Sequence, residues 1–270
     1  MQLDMVSAQT PGTSAPVSVR GNTKTQRLIT KLSRRFRAGR DKILKDIIIS
    51  ERQLVEGRFR ILDLGGRADY WQRLGFEFLD THDIEVVCIN QTEAELCTDG
   101  IRHPRLSTCV GNACNLVGYP NLSFNMVHSN SVIEHVGNFA SKRAFAMEVS
   151  RLAPAYYVQT PYAWFPVDPH WPKLPMFHWL PLSLRYKLLC RFSLGWGGRY
   201  SNVDHAMQDL EGTILLDLHQ MNSLFLDANI RRECLLGLTK SLIAERRSTR
   251  KSGAKTVHDW HERIEERAFA

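Results

Sequence analysis

Arg60-Ile61-Leu62-Asp63-Leu64-Gly65-Gly66 is the stretch on which the fold turns, a short apolar run that stops at two glycines. Such a run reads as a buried strand entering a turn. In open α/β sheets, ligands bind in the crevice beyond the carboxyl ends of the strands. Glycine suits that place because it admits positive φ and lets backbone approach a ligand closely.

Downstream, the pattern repeats. A helical stretch over 68–77 leads to a second strand, Ile84–Asn90, and a helix-like Thr92–Cys97 leads to a third, Leu106–Val110. Ser123–Ser129 reads as a fourth strand, 139–151 as a helix and Ala155–Gln159 as a fifth strand. Strands alternating with helices imply parallel βαβ units with right-handed crossovers. Residues 160–205 break the rhythm, with six of the eleven prolines between Pro161 and Pro181 and four of the six tryptophans between Trp164 and Trp196. Prolines at that density do not sit inside regular helix or sheet, so an insertion is expected there. Helix resumes over 207–225, and strands near 229–236 and 240–245 follow. The short break between them, Gly237-Leu238-Thr239, predicts an antiparallel hairpin, since a parallel pair needs a longer crossover.

Upstream, residues 25–57 read as a basic amphipathic helix. Leu28, Leu32, Phe36, Ile43, Ile47 and Leu54 mark one face, with Arg34, Arg35, Arg37 and Arg40 crowded between. Such a helix either packs on the core or lies on an anionic membrane surface. The expected organisation is a flexible arm over 1–24, a helical extension over 25–58, the main domain over 59–246 and a charged tail over 247–270. The net charge of +7 is uneven: Lys and Arg exceed Asp and Glu by 8 in residues 1–60 and by 3 in 246–270, whereas acids exceed by 4 in between. A basic balance confined to the ends is poor support for nucleic acid in a central site. Residues 1–15 lack an apolar signal core, and no run reaches the ~18 apolar residues of a membrane span. The expected address is the cytoplasm, with peripheral membrane contact through 25–57. The six cysteines, Cys88, Cys97, Cys109, Cys114, Cys190 and Cys234, form no Cys-x-x-Cys pair and read as buried, reduced thiols.

Three further segments carry candidate site residues. Asn90 ends the second strand 25 residues after Gly65, near the position where dinucleotide-type folds place an acid about 20 residues on for the ribose hydroxyls. Gly111-Asn112-Ala113 follows the third strand, and Ser129-Asn130 ends the fourth, ahead of Glu134-His135. The series ILDLGG, VVCINQTE, VGNACNL, SFNMVHSNSVIEHV and MEVSRLAPAYYVQTP resembles the class I S-adenosylmethionine-dependent methyltransferases, closest to the group acting on small molecules, lipids and glycans. The resemblance covers 59–160, and more loosely 206–246.

It implies a Rossmann-like, mostly parallel seven-stranded sheet with a C-terminal antiparallel hairpin, and S-adenosyl-L-methionine as cofactor. Asp63, Gly65 and Gly66 match the motif that contacts the methionine part and the ribose. Asn112 and Ala113 match a Gly-Asp-Ala segment at the adenine amino group, and Ser129 and Asn130 fall beside the sulfonium. Asn90 and Asn112 both stand where the family has acids, and Ala153-Pro154-Ala155 replaces a Pro-Gly-Gly turn.

Methyl transfer needs alignment above all, and orientation alone supplies ~7–11 kcal/mol. An oxygen acceptor, the expected atom, gains from a histidine base. His135 and His170 are the catalytic candidates, with His178 as a third. Glu134 and His135 are too few ligands to assign a metal. The aromatic insertion suits a small-molecule, glycan or lipid acceptor. A non-catalytic, partner-binding module stays open because of the two asparagines. A nicotinamide oxidoreductase ranks lower, since Gly65-Gly66-Arg67-Ala68-Asp69-Tyr70 lacks the Gly-x-Gly-x-x-Gly pattern.

Overall fold

The computed structural model describes residues 24–96, 100–196 and 198–248, with side chains from residue 37 onward. The expected arm, the early apolar face with Leu28, Leu32 and Phe36, Cys97 and the tail beyond 248 lie outside the described residues and side chains. The chain divides after Arg40, and the larger unit begins at Asp41. Among the described residues no helix is long and apolar enough to cross a membrane.

The larger unit is built on a seven-stranded sheet. Its strands are β1 (Phe59–Leu64), β2 (Ile84–Asn90), β3 (Leu106–Val110), β4 (Met126–Asn130), β5 (Ala155–Pro161), β6 (Asn229–Leu235) and β7 (Leu238–Arg246), in the order β3-β2-β1-β4-β5-β7-β6. β1 pairs in parallel with both β2 and β4, and β2–β3 and β4–β5 are parallel too. β7 runs antiparallel to β5 and to β6. The mostly parallel sheet and closing hairpin are those expected. The strand order reverses between β1 and β4, the switch point at which such sheets bind ligands.

Both faces of the inner, parallel part of the sheet are buried, as such a sheet requires. Alternation sends Phe59 and Ile61 of β1 to one side, with Leu44, Ile47 and Ile48 from the end of α1 (Lys24–Arg52) and Trp71 and Leu74 from α2 (Ala68–Leu74). Leu62 and Leu64 go to the other, with Phe145 and Val149 of α5 (Phe139–Leu152) and Met221 and Leu224 of α8 (Leu218–Leu224).

Several elements differ from expectation for local reasons. The helix predicted over 68–77 is broken at Gly75, whose φ of 112° takes it out of the helical region, and α3 (Phe76–Thr81) follows. Among the described residues of the next stretch, Glu93–Leu96 is helical, as α4. β4 starts three residues late because Asn125 folds back on β1: its Oδ1 accepts from the Arg60 amide at 2.7 Å. The helix predicted over 207–225 is two, α7 (Val203–Gly212) and α8. Between them Ile214 donates to the Glu134 carbonyl and Leu216 accepts from Ala163. Asp217 then starts α8 with a reciprocal capping box to Gln220. The insertion is more regular than its prolines suggested. It contains α6 (Leu182–Arg191), entered through Pro181, where a missing N–H costs nothing. Trp171, Phe177, Leu189, Ala206 and Leu210 give the region its own small core. The hairpin between β6 and β7 turns on Leu236 and Gly237, both at positive φ. The thiols depart from the expected burial: Cys88 is buried, but Cys109, Cys114 and Cys190 are half-buried and Cys234 is exposed, all unpaired.

Candidate functional site

The end of β1 is locked by close packing. Gly65 has a φ of +71°, and its amide donates to the Ile89 carbonyl at 2.7 Å. A Cβ there would lie 2.2 Å from Val132 Cγ2, and one on Gly66 would lie 2.0 Å from Asp63 Oδ2. Both glycines are therefore needed by the protein's own packing at the switch point.

Asp63 explains the second clash. It is buried, and its Oδ1 accepts from His128 Nδ1 at 2.6 Å while its Oδ2 accepts from Trp71 Nε1 at 2.7 Å. Asp63 and His128 sit side by side in the β1–β4 register. The His128 ring stacks on Tyr70 at 5.1 Å between centroids. Burial, reinforced by Asp41 and Asp63, pushes the Tyr70 hydroxyl well above its ordinary pKa. A buried carboxylate is tolerated when it is paired and hydrogen-bonded, and these two partners meet that need. His128 was missed in the sequence; its signal was its place in the adjacent strand, which becomes informative only once the register is known.

The remaining cofactor candidates spread along the carboxyl edge. Asn90 donates from Nδ2 to the Gly66 carbonyl at 2.6 Å, so its amide braces the glycine loop and its Oδ1 is the end suited to a ribose hydroxyl. Ser129 is buried and donates to the Leu64 carbonyl at 3.0 Å. Asn130 is half-buried at the tip of β4. After β3, Asn112 accepts the Cys114 amide at 2.9 Å in a tight side-chain turn, and Ala113 packs against the core. Asp63, Gly65, Gly66, Asn90 and Ser129 are thus joined through β1 and its loop, whereas Asn112 and Ala113 line the neighbouring turn.

A polar cluster forms where the chain leaves β4 and β5. Ser131, at a φ of +59°, donates to Gln159 Oε1 at 3.0 Å, and the chain then makes a short 3-10 turn over Ile133–His135. Glu134 is fully buried; its Oε2 accepts from Thr160 at 3.0 Å, and its Oε1 has no hydrogen-bond partner. Burial raises its pKa to about 7. Lys142 of α5, also buried, donates from Nζ to the Ile133 carbonyl at 2.9 Å, and desolvation lowers its pKa to about 8.

His135 and His170, 35 positions apart in sequence, meet with their Nε2 atoms 3.0 Å apart. His170 Nδ1 donates to buried Asp168 Oδ1 at 2.7 Å, and its backbone amide donates to the same oxygen. Burial is the largest influence on His170 and opposes its charged form, but the Asp168 hydrogen bond and the Asp168 and Glu134 charges together outweigh it and raise the pKa. Desolvation and the facing His170 lower that of His135, whose Nδ1 lies 3.4 Å from Thr213 Oγ1. The two catalytic candidates are therefore one group. His178 is elsewhere, donating from Nε2 to the Ala163 carbonyl at 2.9 Å. Asp168 was missed; the Asp-x-His spacing was its signal. Trp164, Trp179 and Trp196 of the insertion are exposed.

No family model and no curated protein matches the sequence. Solved structures do match. Phosphoethanolamine N-methyltransferase 2 of Haemonchus contortus, in complex with S-adenosyl-L-methionine, is 13% identical with a TM-score of 0.43 over 70% of this chain and 38% of its own. A S-adenosylmethionine-dependent methyltransferase of Methanosarcina mazei is 14% identical with a TM-score of 0.41 over 73% and 96%. A chain assigned to zinc-dependent alcohol dehydrogenases, from Rhodobacter sphaeroides, is 10% identical with a TM-score of 0.47 over 76% and 89%. This chain spans less than half the length of the first of these.

Proposed function

We propose that the chain is a S-adenosylmethionine-dependent methyltransferase acting on a small-molecule, glycan or lipid-linked acceptor, with oxygen as the acceptor atom. The observation that carries the reading is the switch point. There the β1 glycine loop, braced by Asn90, opens between β1 and β4 in a sheet of order β3-β2-β1-β4-β5-β7-β6.

The chain's residues divide the work by position. The backbone of Gly65 and Gly66 borders the cofactor, with Asn90 Oδ1 toward the ribose and Asn112 and Ala113 toward the adenine. Ser129 and Asn130 stand at the reacting end. Asp63 acts through the loop: bound to Trp71 and His128, it holds the end of β1 in place. The acceptor enters from the side of Glu134, His135 and the insertion, where His170 and the exposed Trp164 and Trp179 lie. When bound, the cofactor would supply a methyl activated by its sulfonium and leave as a neutral thioether, and an acceptor hydroxyl would give up its proton toward the cluster of Glu134, His135 and His170.

Asn90 and Asn112 also support a second reading, a module of the same fold that binds a partner without turnover, because both amides are engaged in local hydrogen bonds. Titration calorimetry with S-adenosylhomocysteine separates the two. Micromolar binding by wild type, lost in Gly65→Val, is the expected result. A folded wild type that binds neither S-adenosylhomocysteine nor S-adenosylmethionine overturns the enzyme reading in favour of the module.

A further inference from the structure

We infer that Glu134, His135 and His170 bind a divalent first-row transition-metal ion of the Zn2+ class, with Asp168 orienting His170. One oxygen or ring nitrogen from each of the three lies within 4.8 Å of the others, and among the described residues no other three His, Cys, Asp or Glu side chains come together in this way. Two imidazoles and a carboxylate form a donor set that zinc and its neighbours take with an open position.

Three features favour an ion over a simple hydrogen-bonded cluster. Glu134 is completely buried with Oε1 unpartnered, the kind of group a cation satisfies. His170 gives its Nδ1 proton to Asp168, which leaves the Nε2 lone pair aimed at His135. A carboxylate behind a ligating imidazole is the usual outer partner of a metal-bound histidine. The two Nε2 atoms are 3.0 Å apart. Tetrahedral ligands on bonds of ~2.0–2.1 Å stand roughly 3.3 Å apart, so a small opening of the pair admits the ion. Lys142 acts on Glu134 only at longer range: its ammonium donates to the Ile133 carbonyl, and among the described residues no short ion pair joins the two.

The cluster joins the turn after β4 to the segment after β5, on the ligand-binding edge of the sheet. If the chain transfers methyl groups as proposed, an ion there has a position for an acceptor oxygen, whose acidity it would raise. This role rests on the proposed function; ion binding itself does not.

The test uses the full chain, free of any histidine tag, titrated with Co2+ and then Zn2+. One equivalent of Co2+ should give visible d–d bands without the near-ultraviolet bands of thiolate ligation, and Zn2+ should displace it. His170→Ala and His135→Ala should abolish the bands. Asp168→Asn should keep the stoichiometry but bind 10- to 100-fold more weakly, the usual loss of an outer partner. Circular dichroism identifies folded variants, and Glu134→Gln, nearly isosteric, serves if an alanine variant is unfolded. Absent bands in wild type, thiolate bands, or signals unchanged in folded ligand variants would overturn the site. S-adenosylhomocysteine binding is measured on the same samples. Its absence beside intact metal binding removes the methyl-transfer reading alone, and the reverse result removes the metal site alone.

Discussion

Gly65→Ala tests whether the β1 loop is as tightly built as its geometry implies. Two costs are separable. An L-residue at a φ of +71° bears roughly 1–2 kcal/mol of steric strain. The new Cβ would also stand 2.2 Å from Val132 Cγ2, an overpacking worth about 1–3 kcal/mol. The single variant should therefore lose about 2–5 kcal/mol, read as a lower urea midpoint at unchanged slope. Val132→Ala removes the two methyl groups nearest the new atom, at 2.2 and 3.0 Å, and leaves Val132 Cβ at 3.2 Å. The double variant should then recover the overpacking part but keep the strain. The cycle should show a favourable coupling of about 1–3 kcal/mol. Strict additivity, or a Gly65→Ala protein as stable as wild type, would refute the packing argument and with it the reason for glycine at this position.

Asp63→Ala should destabilise the fold by about 3–5 kcal/mol in urea unfolding, because it strands His128 and the Trp71 indole in the core; a normal midpoint with weakened S-adenosylhomocysteine binding would instead make Asp63 a direct ligand. Asn90→Asp introduces the acid usual in the methyltransferases that the sequence resembles but sets a carboxylate against the Gly66 carbonyl where an amide now donates, so stability should fall by about 1–3 kcal/mol and calorimetry should show no gain in affinity for S-adenosylhomocysteine. Leu236→Asn should stabilise by about 0.5–1 kcal/mol in thermal or urea unfolding, since Leu236 is 94% exposed at a φ of 50° in a two-residue hairpin turn that favours Asn-Gly.

Legibility differed by element. β2 and β3 lie at the bounds read from the sequence: β2 is a largely buried apolar run, as an inner parallel strand is, whereas β3, at the sheet edge, is only partly buried and is bounded by its place in the strand–helix alternation. The helix around Gly75 and the pair α7–α8 were read as single helices, since what divides them is not periodicity. A backbone angle breaks the first, and hydrogen bonds to Glu134 and Ala163 divide the second. In the site, Gly65, Gly66 and Asn90 were visible as residues at strand ends. Their contacts were not, because Val132, Asp63 and the Gly66 carbonyl reach them through the fold.

The sequence by itself determined the kinds of element along the sheet and their parallel succession, since these follow from local apolar pattern and chain connectivity. Tertiary structure alone decided the partners of the polar groups. Strand register put His128 beside Asp63, and the fold of the insertion brought Asp168 and His170 to the turn of Glu134 and His135. The reason is physical. A buried polar side chain is settled by whichever group meets its hydrogen bonds, and that group, 35 or 65 positions away, leaves no mark on the sequence nearby.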